Sequence, residues 1–385
     1  MSWKEPAVNI ADAFELKIAK TRADLPHARH LPGNIYSSQE IYDLEMKEYF
    51  GRDWLLVGRE EQFAKPGDFE ARRIVGRPII IARDKNGTLG AFYNMCVHRG
   101  VEVATGCGNA KHFKCPYHGW TYDLSGQLAG ASYMKDTPDF KASETRLQKI
   151  HLEVWRGNVF ISFADSPPPF EQAIFEFEKD FAILHTEKCR LADVTRVNLK
   201  CNWKFFHENL MDFYHVNVLH VKSFGAHFSW TPDNVQLKDN GGLTIRYNAA
   251  PSTPEGKTLF AKMPWLADKE SNFAITGLLP PNLTLFGRID GVKLMVAWPL
   301  GPNECEVWIY MLFPEEFHSD PDFQSKIDVY RSYQGVIYEE DRGMIESMQI
   351  AMASPLYVPG RMSVMEKPIH HFLSSYIDRM FGPGN

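Results

Sequence analysis

Two groups of metal-ligating residues stand out in a sequence of 385 residues. The first is Cys96-Val97-His98 followed, sixteen residues on, by Cys115-Pro116-Tyr117-His118. Two thiolates on one iron and two imidazoles on the other describe a Rieske-type [2Fe–2S] cluster, in which the histidines raise the reduction potential. The same four side chains would satisfy tetrahedral zinc. Zinc fingers place both cysteines before both histidines, whereas here the two types alternate, which favours iron and sulfide. The second group is Glu208-Asn209-Leu210-Met211-Asp212-Phe213-Tyr214-His215-Val216-Asn217-Val218-Leu219-His220. Two histidines and one carboxylate on a single face of an iron leave the opposite face open to O2 and substrate. Asp212 and His215 are neighbours on a helix. His215 and His220 lie about 140° apart around an ideal helix, so both reach one metal only if the helix ends between them or loosens into a π-type turn. The carboxylate ligand then comes from elsewhere, and Glu339, Glu340, Asp341 and Glu346 are the candidates.

The elements that must position these residues are legible in outline. Ser37–Phe50 reads as a helix capped by Ser37-Ser38, with Ile41, Leu44, Met46 and Tyr49 at helical spacing. From Trp54 to Phe163 short β-type runs alternate with turns, among them Pro78–Arg83, a hairpin turn at Asp84-Lys85-Asn86-Gly87, and Leu89–Tyr93. Asp165-Ser166-Pro167-Pro168-Pro169 continues neither strand nor helix and predicts a domain boundary. Beyond it come helices at Phe170–His185 and Trp203–His220. Strands follow at Leu243–Asn248, Asn282–Ile289, Val292–Trp298 and Cys305–Phe313, with a hairpin at Asp290-Gly291. A long helix runs to about Met352, with Asp320 as N-cap and Pro321 in the first turn. The expected domains are an N-terminal helical segment over 1–50 packing on the catalytic domain, a cluster domain over 51–165 and a catalytic domain over 166–385. Strands flanked by helices without β-α-β alternation place the catalytic part in the α+β class, around an antiparallel sheet.

Composition narrows the function classes. The net charge of −6, with no block of basic residues, argues against nucleic acid as a partner. No apolar run approaches bilayer length, and the N-terminus has no apolar signal core, so a cytoplasmic protein without a membrane partner is expected. Six cysteines are too few for a disulfide framework in a chain of this length. Cys107 and His112 lie between the two loops but lack the adjacent partner that each cluster residue has, and are read as loop residues. Cys189, Cys201 and Cys305 are read as small buried hydrophobes.

Asn94-Met95-Cys96-Val97-His98-Arg99-Gly100 and Cys115-Pro116-Tyr117-His118-Gly119-Trp120 resemble the cluster loops of the catalytic (alpha) subunits of Rieske non-haem iron ring-hydroxylating oxygenases. The likeness extends to Trp54-Leu55-Leu56-Val57-Gly58 and Lys65-Pro66-Gly67-Asp68. Respiratory and photosynthetic Rieske proteins carry an extra cysteine pair, where this chain has Val101 and Tyr117. The resemblance implies an all-β Rieske domain and a helix-grip (START-like) catalytic domain. It implies Cys96 and Cys115 on the buried iron, and His98 and His118 on the outer one. Asp-x-x-His-x-x-x-x-His after Glu-Asn is similar to the family's mononuclear iron motif, which makes His215 and His220 ligands and Asp212 a link toward His118 of a neighbouring subunit. Glu340-Asp341 before Glu346-Ser347-Met348-Gln349 fits the family's late helix, so Asp341 becomes the third ligand, with Glu340 and Glu346 as fallbacks. His207 and His227 are read as non-ligands. Asn209, Met211, Phe213, Val218 and Phe224 are candidates for a substrate pocket.

The implied cofactors are a [2Fe–2S] cluster and Fe(II), with O2 as cosubstrate and NAD(P)H acting through a reductase. The implied partners are a ferredoxin or flavin reductase, a small-molecule substrate, and further copies of the chain in a homotrimer, with or without a small β subunit. Arg72, Arg73, Arg77, Lys111 and Lys114 could dock an acidic ferredoxin. The implied reaction is ring hydroxylation or oxidative N- or O-dealkylation of a small, largely apolar substrate. Two alternatives stand beside it. The loop from Cys115 through Gly126 is also similar to that of quaternary-amine (betaine- or choline-like) monooxygenases, and an electron-transfer Rieske protein would use the cluster without oxygenase chemistry.

Overall fold

Short strands with turn residues between them build the first half, and long strands under one long helix build the second. The computed structural model describes residues 18–223, 228–251 and 253–382. The chain divides into two units, one being Phe50–Ala173 and the other comprising the residues before it and from Ile174 onward. The expected break at Pro167-Pro168-Pro169 is not where this division falls. Trp54 donates its indole N–H to the Pro168 carbonyl at 2.9 Å and packs edge-on to Phe170 at 5.0 Å, so the proline run is held to the strand it was expected to leave.

In the first unit the strands are β1 (Trp54–Arg59), β2 (Asp68–Ile74), β3 (Arg77–Arg83), β4 (Leu89–Tyr93), β5 (Gly106–Asn109), β6 (Phe113–Lys114), β7 (Thr121–Tyr122), β8 (Leu128–Gly130), β9 (Lys149–Trp155) and β10 (Asn158–Ser162). They form an antiparallel sheet in the order β1-β10-β9-β4-β3-β2-β5, and a small one, β6-β7-β8. The β3–β4 hairpin closes where expected. Asp84 Oδ1 accepts from the amides of Asn86 and Thr88, and Gly87 takes the left-handed φ of +85° that a side chain would resist. One core cluster joins Ile80, Phe92, Trp120, Tyr122 and Leu128 to Cys96 and Cys115.

The second unit is an antiparallel sheet of β11 (Cys189–Leu199), β12 (Phe228–Ser229), β13 (Val235–Leu237), β14 (Leu243–Ala249), β15 (Phe273–Leu279), β16 (Leu283–Arg288), β17 (Val292–Gly301) and β18 (Glu304–Pro314). Its order is β11-β18-β17-β16-β15-β14-β12, with β13 also on β14. Strands β17 and β18 are buried along most of their length, as expected of strands covered on both faces. Helix Phe323–Met352 buries Ile327, Tyr330, Gln334, Ile337, Asp341, Ile345 and Gln349, a stripe recurring every three or four residues. Asp341 is a polar member of that inward stripe.

Several expected elements differ in extent. Asp320 caps no long helix. Its Oδ1 accepts from the Asp322 amide, and the helix starts at Phe323. The Ser37–Phe50 element is a helix over Gln39–Leu44, with Ser38 accepting from the Ile41 amide, continued by a π-type turn over Glu45–Tyr49. The expected Trp203–His220 helix is broken into Trp203–Met211 and Val216–Leu219. Strands β11 and β15 and a terminal helix, Lys367–Phe381, were not anticipated.

Candidate metal centres

The two cluster loops are built alike. In one, the Cys96 amide donates to the Val101 carbonyl at 2.8 Å and the Gly100 amide to the Cys96 carbonyl at 2.7 Å. In the other, the Cys115 amide donates to the Trp120 carbonyl at 2.8 Å and the Gly119 amide to the Cys115 carbonyl at 3.0 Å. Gly100 and Gly119 turn both loops at positive φ, +78° and +72°. The turns bury Cys96 and Cys115 and leave His98 and His118 exposed, their rings 4.6 Å apart. His98 stacks on Trp120 at 4.8 Å, which fixes its ring plane. Tyr122, on β7, brings its hydroxyl within 3.2 Å of Cys96 Sγ and accepts from the Val97 amide. Two buried thiols and two surface imidazoles fit a cluster with a cysteine-held inner iron and a histidine-held outer one.

The second centre depends on the break in the histidine helix. Asn202 caps Trp203–Met211 by accepting from the Lys204 amide, and its own amide donates to Gln349 of the long helix at 2.8 Å. Asp212 is the C-cap; after it the chain re-enters a short helical turn at Val216, so His215 and His220 no longer diverge. Their Nε2 atoms are 3.3 Å apart, and Asp341 Oδ1 lies 3.4 Å from His215 Nε2 and 2.9 Å from His220 Nε2. Donor atoms around one ion at roughly 2.0–2.2 Å are spaced by about 3 Å, so this set fits a single metal. Each remaining ring nitrogen is held by a carboxylate. Asp212 Oδ2 is 3.2 Å from His215 Nδ1, and Glu340 Oε2 is 2.7 Å from His220 Nδ1 and also accepts from Ser223 at 2.8 Å. Such partners orient a ligand and make it a better donor. Burial alone would lower the His215 pKa, but Asp212 and Asp341 outweigh it and hold it at about 9. Burial pushes the Asp341 carboxyl up, and the two histidines pull it back below its usual value.

A cavity with some 580 Å³ of space between atoms, part of it open to solvent, adjoins these residues. His215, His220, Asp341, Asn209 and Asp212 line it, with Phe213, Phe228, Tyr247, Phe286, Met295 and Ile337. Phe213 meets Phe228 at 5.0 Å and Tyr247 at 4.9 Å, both edge-on. Arg288 and Lys293 supply positive charge. Arg288 donates to the Tyr247 hydroxyl at 2.8 Å, and Lys293 to the Gln334 amide oxygen. Burial, and then the charge of Arg288, push the Lys293 amine down to about 7.

Not every sequence candidate is in this cavity. Met211 is fully buried in the end of its helix and does not line it, and Val218 is 77 % exposed. Both are candidates because they lie beside the iron motif in sequence, which does not fix the side of the chain they face once the helix breaks at Asp212. Phe224 and His227 lie outside the described residues. His207 is buried with Nδ1 at 2.9 Å from Thr284 Oγ1, and burial pushes its pKa down to about 3. Of the other acids in the late helix, Glu340 holds a histidine, Glu346 accepts from the Lys200 amide and Glu339 is exposed. Cys107 and His112 are exposed. Arg72 is turned into its own unit, where it bonds the Val57 carbonyl, and is not a surface cation. The sequence reading missed Glu340 as the holder of His220, and missed Arg288 and Lys293. Strand alternation across the Asp290-Gly291 hairpin puts both cations on the face of Phe286 and Met295, a signal that was available.

Comparison with known proteins agrees with the geometry. The family model "Ring hydroxylating alpha subunit (catalytic domain)" matches residues 185–382, just over half of the chain, and the "Rieske [2Fe-2S] domain" matches residues 53–141. The chain belongs to the ring-hydroxylating alpha-subunit family and is a Rieske non-haem iron mono- or dioxygenase with a [2Fe–2S] cluster and a mononuclear iron. It is 28 % identical to the chlorobenzene dioxygenase alpha subunit of Cupriavidus sp. (strain PS12), over 80 % of this chain and 76 % of that protein. It is also 28 % identical to the chloroplastic choline monooxygenase of Arabidopsis thaliana, over 93 % of this chain and 83 % of that one. Among solved structures, a quaternary ammonium Rieske monooxygenase in complex with γ-butyrobetaine has a TM-score of 0.77 at 22 % identity, covering 95 % of this chain and 98 % of that one. Naphthalene 1,2-dioxygenase from Rhodococcus sp. also has a TM-score of 0.77, at 19 % identity, covering 97 % and 99 %. The fold is therefore that of both groups: a β-built Rieske domain and an α+β catalytic domain of antiparallel sheet and helices.

Proposed function

We propose that this chain is the terminal oxygenase of a multicomponent system, hydroxylating or oxidatively dealkylating a small organic substrate with electrons from a ferredoxin or flavin reductase. The observation that carries the reading is the convergence of His215 Nε2, His220 Nε2 and Asp341 Oδ1 on the wall of an aromatic-lined cavity. These three would hold the mononuclear iron, and Cys96, Cys115, His98 and His118 the cluster. Bound there, the iron would supply O2 activation. Phe213, Phe228 and Phe286 exclude water from the cavity and pack on the substrate body, while Asp212 and Glu340 keep both histidine rings oriented through Nδ1. The exposure of His98 and His118 suits electron entry and exit at the histidine-held side of the cluster. On this reading Asp212, which touches His215 on one side, takes up His118 of a second copy, and the working unit is a multimer, a homotrimer.

Metal and sulfide analysis with O2 uptake tests the proposal. About three irons and two sulfides per chain, with substrate-dependent O2 uptake under a surrogate reductase, are expected. About two irons, with no substrate-dependent uptake, would return the chain to the electron-transfer reading.

The second reading, a quaternary-amine monooxygenase, draws on the aromatic set Phe213, Phe228 and Tyr247, since clustered rings bind alkylammonium cations. Product analysis with matched aromatic and quaternary-amine substrates separates the two readings.

A further inference from the structure

The charges lining the cavity point to a substrate class. Among the described residues, Asp212 and Asp341 are the only carboxylates that line it, and both are committed to His215 and His220. Arg288 and Lys293 have no such commitment. They stand at the two sides of the β16–β17 hairpin, where Lys293 is in register with Phe286 and the Arg288 amide donates to the Gly291 carbonyl at 2.9 Å. Strand alternation turns both toward the face that carries Phe286 and Met295. The hydrogen-bond partners of both are neutral, a tyrosine hydroxyl for Arg288 and an amide oxygen for Lys293, and among the described residues neither is within ion-pair distance of an acid. The Arg288 Nε–H is buried without an acceptor. The hairpin's own acid, Asp290, does not line this cavity; it accepts from the Tyr330 hydroxyl, still feels the charges of Arg288 and Lys293, and is pushed up to about 6 by burial.

A guanidinium and an amine held at about 7, facing a partly closed, apolar-walled space with neutral hydrogen-bond partners, gain from an anion between them, which also draws the amine to its charged form. A guanidinium matches a carboxylate with two parallel N–H donors, and an ammonium beside it adds a third. We infer that the substrate is a small organic acid whose carboxylate sits between Arg288 and Lys293 and whose aromatic or alkyl body lies along Phe213, Phe228 and Phe286. The inference rests on the oxygenase reading of the same cavity. It sets carboxylated substrates apart from choline-like cations, because a quaternary ammonium without a carboxylate is repelled at this wall. Neutral arenes gain nothing from it.

The test is equilibrium binding to the full-length, metal-loaded protein, using benzoate, 3-phenylpropionate and hexanoate, each against its primary amide, with choline as the cationic control. At least one acid should bind about tenfold or more tightly than its amide, the value of one charge-assisted hydrogen-bond pair. Arg288→Gln and Lys293→Met should each reduce that acid-to-amide ratio by about fivefold or more, with the cluster absorption unchanged and cooperative melting showing that each variant is folded. Arg288→Lys, which keeps the charge and loses the fork, should fall between. Equal binding of acids and amides, a ratio that survives both substitutions, tighter binding of choline, or no acid binding at millimolar concentration would each overturn the inference. Iron and sulfide are measured on the same preparation. Missing metal there counts against the oxygenase reading itself, whereas full metal without acid preference removes only the carboxylate.

Discussion

At the scale of single residues, the mononuclear centre depends on which ring nitrogen each histidine presents. Glu340 takes His220 Nδ1 and Asp212 takes His215 Nδ1, so both Nε2 atoms are free to face Asp341. Glu340→Gln keeps a hydrogen-bonding group but removes the charge. The iron affinity of the variant should fall about 10- to 100-fold, the usual cost of losing such a partner, and chelator competition would measure it. Unchanged affinity would mean that Glu340 is only a helix-face acid. Asp212→Asn should weaken iron no more than Glu340→Gln does and, with iron saturating, slow reoxidation of the reduced cluster by about tenfold or more in single turnover; failure to bind iron even at saturation would make Asp212 a ligand. At the cluster, Tyr122→Phe removes a hydroxyl 3.2 Å from Cys96 Sγ. Hydrogen bonds to the sulfurs stabilise the reduced, more negative cluster, so its potential should move to more negative values in a redox titration followed by absorption. The residue types and spacings of the cluster loops were readable because each loop is local. Asp341 could be chosen over Glu340 only by resemblance, since both stand in one acidic run and the inward stripe that separates them is set by packing on the sheet.

At the scale of elements, the histidine helix is held by a buried polar cluster whose members are far apart in sequence. Glu45, in the π-type turn, accepts from Lys204 at 2.5 Å, from Trp203 at 2.8 Å and from Tyr376 at 2.6 Å. Glu45 and Lys204 are both wholly buried. The cluster joins the N-terminal segment, the histidine helix and the terminal helix. It accounts for Lys204 on a face that amphipathic patterning would leave apolar. Removing one partner of such a pair leaves a buried charge and costs roughly 3–5 kcal/mol. Lys204→Met should therefore lower unfolding stability by about that much, and Lys204→Met with Glu45→Gln should recover a large part of it in urea titrations. Additive losses in the double variant would mean that the pair is not coupled. This element-level organisation was largely invisible in the sequence. Glu45 reads as one more charge in a mixed helix and the π-type turn carries no strong local signature, whereas the terminal helix, announced by Ser363, Glu366 and Pro368, could have been read. The helix break at Asp212 was foreseeable only as a geometric need, because five residues do not bring two histidines to one point on an unbroken helix.

At the scale of the whole molecule, acid chemistry couples the same region to folding. Glu208 sits in the histidine helix, and accepts from the Tyr36 hydroxyl at 2.9 Å across a separation of 172 residues. Burial pushes its carboxyl up to about 7, and His30, the Tyr36 hydrogen bond and Lys204 pull it only part of the way back. A free glutamate titrates near 4.5. With the folded value raised above the unfolded one, the folded state binds the extra proton, so stability is fully present below about pH 4.5 and declines as pH rises toward 7. Each pH unit in that window costs about 1.4 kcal/mol, roughly 3 kcal/mol in all for a site this deeply buried. Glu208→Gln accepts the same tyrosine hydrogen bond and cannot ionise. Its stability relative to the unmodified chain should rise between about pH 4.5 and 7 and then stay level. Asp290, also raised, contributes a parallel decline to both proteins and cancels in the difference. Urea unfolding of the two proteins at pH 4, 5, 6, 7 and 8 gives that difference directly. A difference that does not change with pH would place the Glu208 proton elsewhere. One that grows as pH falls would reverse the sign and make the ionised carboxylate the form that the fold prefers.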